Sequence, residues 1–193
     1  MAIFKRGYKA GMLSGDLEFA SLDFLTYCLF SYASGFPISA TVKDLNSMKS
    51  LMRLYNVESV QVMYMPFRLL INCLSGTEAN PLAFRSEVDA IRAESSIDSS
   101  LTFQLLWKYF ARTQISYYFR DIDLAEQMRT EMEKYMEASP GYFYLVTSSF
   151  FSGLVSVGMY RSSGKSFHRR RSQKKLAFLK KLLKTKGLNV LHK

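Results

Sequence analysis

Histidine, cysteine, proline and glycine are all scarce in this chain, and each scarcity closes off a class of protein. Two histidines, His168 and His192, and two cysteines, Cys28 and Cys73, leave a metal centre almost no ligands to draw on. The cysteines fall in apolar helical text with neither knuckle nor redox spacing, so they read as buried, reduced thiols of a cytosolic or nuclear protein. Neither histidine has a nucleophile arranged beside it, since both lie in the basic C-terminal stretch, so nucleophilic catalysis has no candidate residues. Four prolines and ten glycines, few of them in turn pairs, argue against a fold of many short strands. The opening Met1-Ala2-Ile3-Phe4-Lys5-Arg6-Gly7 lacks the hydrophobic segment of a secretory signal.

What is present points to helices. An apolar fraction of 48% and an aromatic fraction of 15% in 193 residues suffice for an ordinary core without disulfides or metal. The net charge of +10 is unevenly placed: residues 1–160 carry 14 Lys and Arg against 16 acids, and residues 161–193 carry 12 with no acid at all. Electrostatic steering is therefore confined to the C-terminal end.

Apolar periodicity and capping residues predict helices over about 2–13, 16–34, 41–56, 59–74, 101–119, 121–138, 141–161 and 166–186, with a short one near 84–94. In the second, Leu17, Ala20, Phe24, Tyr27, Cys28 and Ser31 fall on one face. Gly35-Phe36-Pro37 ends it. In the fourth, Val60, Met63, Tyr64, Phe67, Leu70, Ile71 and Leu74 form the buried side, and Pro66 permits a kink. Serine-rich and charged text over 75–100 marks the weaker connection, and Pro140 stands at the start of the seventh predicted long helix.

The strongest pattern is a repeated phrase. Gly15-Asp16-Leu17-Glu18-Phe19-Ala20 returns as Arg120-Asp121-Ile122-Asp123-Leu124-Ala125, each copy between two apolar stretches of helical period. In each, an acid opens the second helix of a hairpin and a small alanine four residues on lets the paired helix approach. The expected fold is all-α: an irregular tetratricopeptide-like array of helical hairpins, an α-solenoid of about eight or nine helices forming one region over 1–193. Gly15, Asp16, Ala20, Asp121, Ala125 and Gly153 are the candidate geometry-setting residues.

Motifs that could carry chemistry fail on context. Gly164-Lys165-Ser166 resembles part of a phosphate-binding loop, but Met159 stands where the first glycine belongs and the preceding text is helical. The pairs Asp121 with Asp123 and Glu131 with Glu133 share their segment with Arg129 and Lys134 and read as a solvated face. No cofactor is expected. The 22 uncharged residues from Ser139 to Tyr160, followed by Arg161, have the outline of a membrane span, but hydroxyl side chains dilute them. Ser148, Ser152 and Ser156 recur every four residues, as in a helix packed closely on its neighbours. Beyond it, Arg169, Arg170, Arg171, Lys174 and Lys175 form a basic contact face, a nuclear import signal or a kinase site around Ser172, while Leu176, Phe178, Leu179, Leu182 and Leu183 keep helical spacing. No motif supports sequence-specific reading of nucleic acid, although salt-sensitive, non-specific binding through 161–186 is an alternative.

Taken together, the two acidic-turn phrases, Tyr27 with Gly35-Phe36-Pro37, Phe150-Phe151-Ser152-Gly153-Leu154 and Asn189-Val190-Leu191-His192-Lys193 resemble the helical region of large multidomain predicted ATPases of the AAA/STAND type. Some members of that group carry kinase-like and sensor histidine-kinase modules. The resemblance implies a non-catalytic scaffold for intramolecular or protein–protein contacts. It also implies that the chain is a piece of a longer protein, because the closing Asn-x-x-His-Lys phrase leads into further helices there. No catalytic residue carries over.

Overall fold

The computed structural model describes residues 2–84, 99–136 and 142–184. Among them the regular structure is entirely helical, in eight helices that pack in consecutive pairs. The expected short helix near 84–94, Pro140 and the phrase 189–193 lie outside the described residues in whole or nearly so. The chain divides into two compact units, Met1–Pro81 and Leu82–Lys193, the division falling within the serine-rich stretch.

The first unit contains α1 (Ala2–Ser14), α2 (Leu17–Ala33), α3 (Ile38–Leu54) and α4 (Gln61–Ser75), each packed on the next. Gly15, at φ +78°, reverses the chain after α1, and the Asp16 carboxylate then accepts the Phe19 amide at 3.2 Å, capping α2. The alanine four residues on is fully buried, and a Cβ added at Gly11 of α1 would lie 2.9 Å from its Cβ. α1 and α2 therefore meet nearly backbone to backbone at Gly11 and Ala20. Farther along, α2 ends in a Schellman turn: Gly35, at φ +75°, donates to the Tyr32 carbonyl and Phe36 to that of Ser31.

The buried side of α2 is wider than the predicted face. Ala20, Cys28 and Ser31 are buried as expected, but so are Ser21, Leu25 and Leu29, while Leu17, Phe24 and Tyr27 are only half-buried. Packing on both α1 and α3 uses two sides of the helix, which a single stripe does not anticipate. In α4, Tyr64, Phe67, Leu70 and Ile71 are buried as predicted, with Met63 and Leu74 half-buried. The Tyr64 hydroxyl donates to the Leu45 carbonyl of α3 at 3.1 Å, so this phenol buries its ring without losing its polar partner.

The second unit contains α5 (Ser99–Tyr118), α6 (Ile122–Lys134), α7 (Tyr142–Ser163) and α8 (Ser166–Lys184). The turn between α5 and α6 repeats the first hairpin. Arg120 takes the left-handed conformation, at φ +63°, and the Asp121 carboxylate accepts the Leu124 amide at 3.1 Å. Ala125 is fully buried, and Ser116, likewise buried, takes the place in α5 that Gly11 takes in α1. Trp107, Tyr109, Ile115 and Met128 fill the core, and Tyr109 stacks on Tyr135.

α7 packs on α5, α6 and α8. Its small side chains face inward: Ser148, Ser152 and Ser156 are buried, and Ser156 donates to the Ser152 carbonyl at 2.8 Å. The tight contact is at Gly158, where a Cβ would lie 3.0 Å from Ile122 Cγ2. At Gly153 a Cβ would meet Lys175 at an ordinary 3.6 Å, so that glycine is not needed for close approach. Among the described residues no helix is long and apolar enough to cross a membrane, α7 included.

Candidate functional site

The site with the most developed electrostatics lies between α6 and α8. α6 places Glu126, Arg129 and Glu133 at spacings of three and four, so all three project from one side of the helix. Arg129 Nε donates to Glu126 Oε2 at 2.7 Å, and its Nη1 lies 2.6 Å from Glu133 Oε2. From α8, Arg171 Nη1 donates to Glu126 Oε1 at 2.6 Å and Lys175 Nζ reaches Glu133 Oε1 at 3.2 Å. The Arg129 side chain is only 2% exposed.

The network shifts its own members. Burial alone would raise the Glu126 carboxyl, but hydrogen bonds from Arg129 and Arg171 outweigh it and hold the group below the ordinary carboxylate range. At Glu133, burial is again outweighed, there by Arg129 and Lys175. Arg129, whose guanidinium burial would disfavour, is held charged by Glu126 and Glu133. His168 is buried beside this cluster with Nδ1 lacking a hydrogen-bond partner among the described residues, its ring against that of Phe167. Desolvation pushes the imidazole below its usual value. Glu126 opposes that shift, while Arg171, Lys165 and Arg129 reinforce it.

Two expectations are corrected here. Arg129 does not belong to a solvated face, because it is buried between Glu126 and Glu133, whereas Glu133 remains exposed and is met there by Lys175 of α8. The basic face is likewise divided: Arg171 and Lys175 turn toward α6, whereas Arg169, Arg170 and Lys174 remain exposed. The apolar stripe of α8 is also incomplete. Phe178, Leu179 and Leu182 are half-buried, but Leu176 is 52% exposed and lies among the outward cations. Ser172 is half-buried and its Oγ donates to the Arg169 carbonyl at 2.8 Å.

The first unit offers a different surface. Phe4, Lys5 and Tyr8 of α1, Phe24 and Tyr27 of α2 and Asp44 of α3 line an open cleft of ≈260 Å³. Tyr8 packs on Phe24 at 5.1 Å between centroids, and Lys5 Nζ stands 4.7 Å over the Tyr27 ring. The aromatic side chains that the helical pattern assigned to the core of α2 form this wall.

Gly164, at φ +68°, turns the chain between α7 and α8, and Lys165 is exposed beside it. No strand feeds that loop, so its amides are not arranged as a phosphate cradle. Cys28 and Cys73 are buried and free, their thiols pushed up by burial to about 12 and about 11. No group of three or more His, Cys, Asp or Glu side chains among the described residues is placed to hold a metal ion. The basic division of α8 and the buried Arg129 were the features that sequence reasoning missed. Their sole local signal is the Glu126-x-x-Arg129-x-x-x-Glu133 spacing.

Comparison of the chain with protein-family models, with curated proteins and with solved structures finds no match.

Proposed function

We propose that this chain is a cytoplasmic, non-catalytic helical scaffold that holds protein segments against the outer faces of its hairpins. The observation that carries this reading is the consecutive pairing of the helices, built around two hairpins with the same capped turn and buried alanine. Such packing satisfies each helix through its chain neighbours and leaves outer faces for other proteins. The resemblance to AAA/STAND-type ATPases supports a place in a larger signalling protein, where the scaffold would receive or relay contacts from a nucleotide-binding domain. An ATPase reading frame adjoining this one upstream, with more helical text downstream, would bear that parentage out.

The test is biochemical. The purified chain is expected neither to bind nor to hydrolyse ATP, measured by calorimetry and phosphate release. Crosslinking in the native cells should connect lysines of the helix faces to another protein or to other domains of the parent chain. Turnover of ATP that disappears in Lys165→Ala would overturn the scaffold reading.

A further inference from the structure

The cleft of the first unit is lined by aromatic rings and by charges of both signs. Its aromatic wall is continuous: Tyr8 leans on Phe24, and the rings of Phe24 and Tyr27 lie 14° from parallel with centroids 6.3 Å apart. α1 contributes Lys5 and Lys9, one helical turn apart, and contact with the Tyr27 ring keeps the Lys5 ammonium at the wall. Asp44 enters from α3, and because α1 and α3 each pack on α2, the cations and the carboxylate meet the cleft from different helices. Among the described residues none of these three charged groups forms an ion pair. At ≈260 Å³ the cleft is smaller than the roughly 300 Å³ at which pockets for drug-sized ligands begin, so its size suits a single amino acid.

We propose that this cleft binds a free aromatic amino acid as its zwitterion, with the ring against Tyr8, Phe24 and Tyr27, the carboxylate at Lys5 and Lys9, and the ammonium at Asp44. Simpler ligands leave part of the lining unsatisfied. An alkylammonium would suit the rings and Asp44 but would meet two lysines of its own sign. A nucleotide would stack on the rings and reach the lysines, but it would bring a multiply charged phosphate beside Asp44. An aromatic acid without an amine would leave Asp44 without a donor. The amino acid supplies a carboxylate to the cations, a three-donor ammonium to the aspartate and a flat apolar group to the wall between them. This ligand is independent of the scaffold reading, since the packing of α1 and α3 on α2 holds the cleft whether or not the outer faces bind protein.

The probe is L-phenylalanine, titrated into the full chain by calorimetry beside 3-phenylpropionate, which lacks the ammonium, and phenethylamine, which lacks the carboxylate. L-Phenylalanine should bind about tenfold tighter than either, the worth of one charge-assisted contact. Asp44→Asn should weaken L-phenylalanine to the level of 3-phenylpropionate while leaving 3-phenylpropionate no weaker. Lys5→Gln with Lys9→Gln should weaken it to the level of phenethylamine while leaving phenethylamine no weaker. Thermal melting by circular dichroism should be unchanged in both, and the three ligands on the unaltered chain test the assignment by themselves where a variant melts lower. No heat with millimolar L-phenylalanine, equal binding of the three ligands or of L-alanine, tighter binding of trimethyl-lysine or adenosine monophosphate, or an unchanged ligand order in the folded variants would overturn the proposal.

Discussion

The two hairpins that open with Asp16 and Asp121 share a turn and diverge in what their second helix does with it. In the first, α2 joins a neutral interior in which Gly11 and Ala20 nearly touch and two thiols are buried. In the second, α6 carries a buried guanidinium clamped by carboxylates, with cations arriving from a helix some 45 residues away. A single local device, a left-handed residue followed by a capping aspartate and a small residue, thus serves an apolar interface in one place and an ionic one in the other. The turn fixes how two helices approach each other. The residues beyond it decide what they bury.

The ionic side of the contrast should break most sharply at Arg129. Arg129→Ala takes the buried partner from Glu126, while Glu133 is exposed and keeps Lys175, and loss of one partner of a buried pair costs about 3 kcal/mol. Chemical denaturation monitored through Trp107, the sole tryptophan, reads this in the second unit. A change under about 1 kcal/mol would mean that Arg171 and Lys175 suffice alone. Next in size, Ala20→Trp and Ala125→Trp should each cost roughly 1 to 3 kcal/mol by overpacking a fully buried site. Unchanged melting by circular dichroism in both variants would sink the shared-hairpin account.

Titration should separate the units. Glu126 and Glu133 are depressed, so their contribution is present above the ordinary value of 4.5 and lost as pH falls through their folded values. His168 is also depressed, so the stability of its neutral form holds above 6.5 and declines as pH drops from there. Cys28 and Cys73 are raised, so their contribution is complete below about 9 and lost as pH climbs toward about 12 and about 11. Acid should therefore alter Trp107 fluorescence early, whereas alkali should reduce helicity before Trp107 responds. The reverse order would contradict the assignment.

The smallest effects concern the turns themselves. Gly15 and Arg120 both occupy the left-handed region, which strains any side chain beyond Cα. Arg120→Gly should stabilise the second hairpin by up to about 1 kcal/mol and Gly15→Ala should destabilise the first by a similar amount. Opposite signs in denaturant midpoints are the expected reading.

Much of the helical layout was legible because capping acids and apolar spacing act within a few residues of each other. The Asp16 and Asp121 caps and the buried Ala20 and Ala125 follow from such local rules. The ionic cluster around Arg129 was not legible as a whole, since Glu126 and Glu133 meet Arg171 and Lys175 only after α7 has turned the chain back. Phe24 and Tyr27 were placed too deeply for a related reason: periodicity identifies an apolar stripe but cannot say whether one neighbour or two will cover it. The division of α8 into gripping and free cations is equally invisible to a count of charges.

The notch at Gly158 bears on the order in which the second unit is built. Ile122, the first residue of α6, projects into that notch, and its position is set by the turn immediately before it. During synthesis α5 and α6 leave the ribosome first, so the local hairpin can close and hold Ile122 in place before α7 emerges. α7 then seats against a finished template, and α8 follows as the last piece to deliver its cations to Glu126 and Glu133.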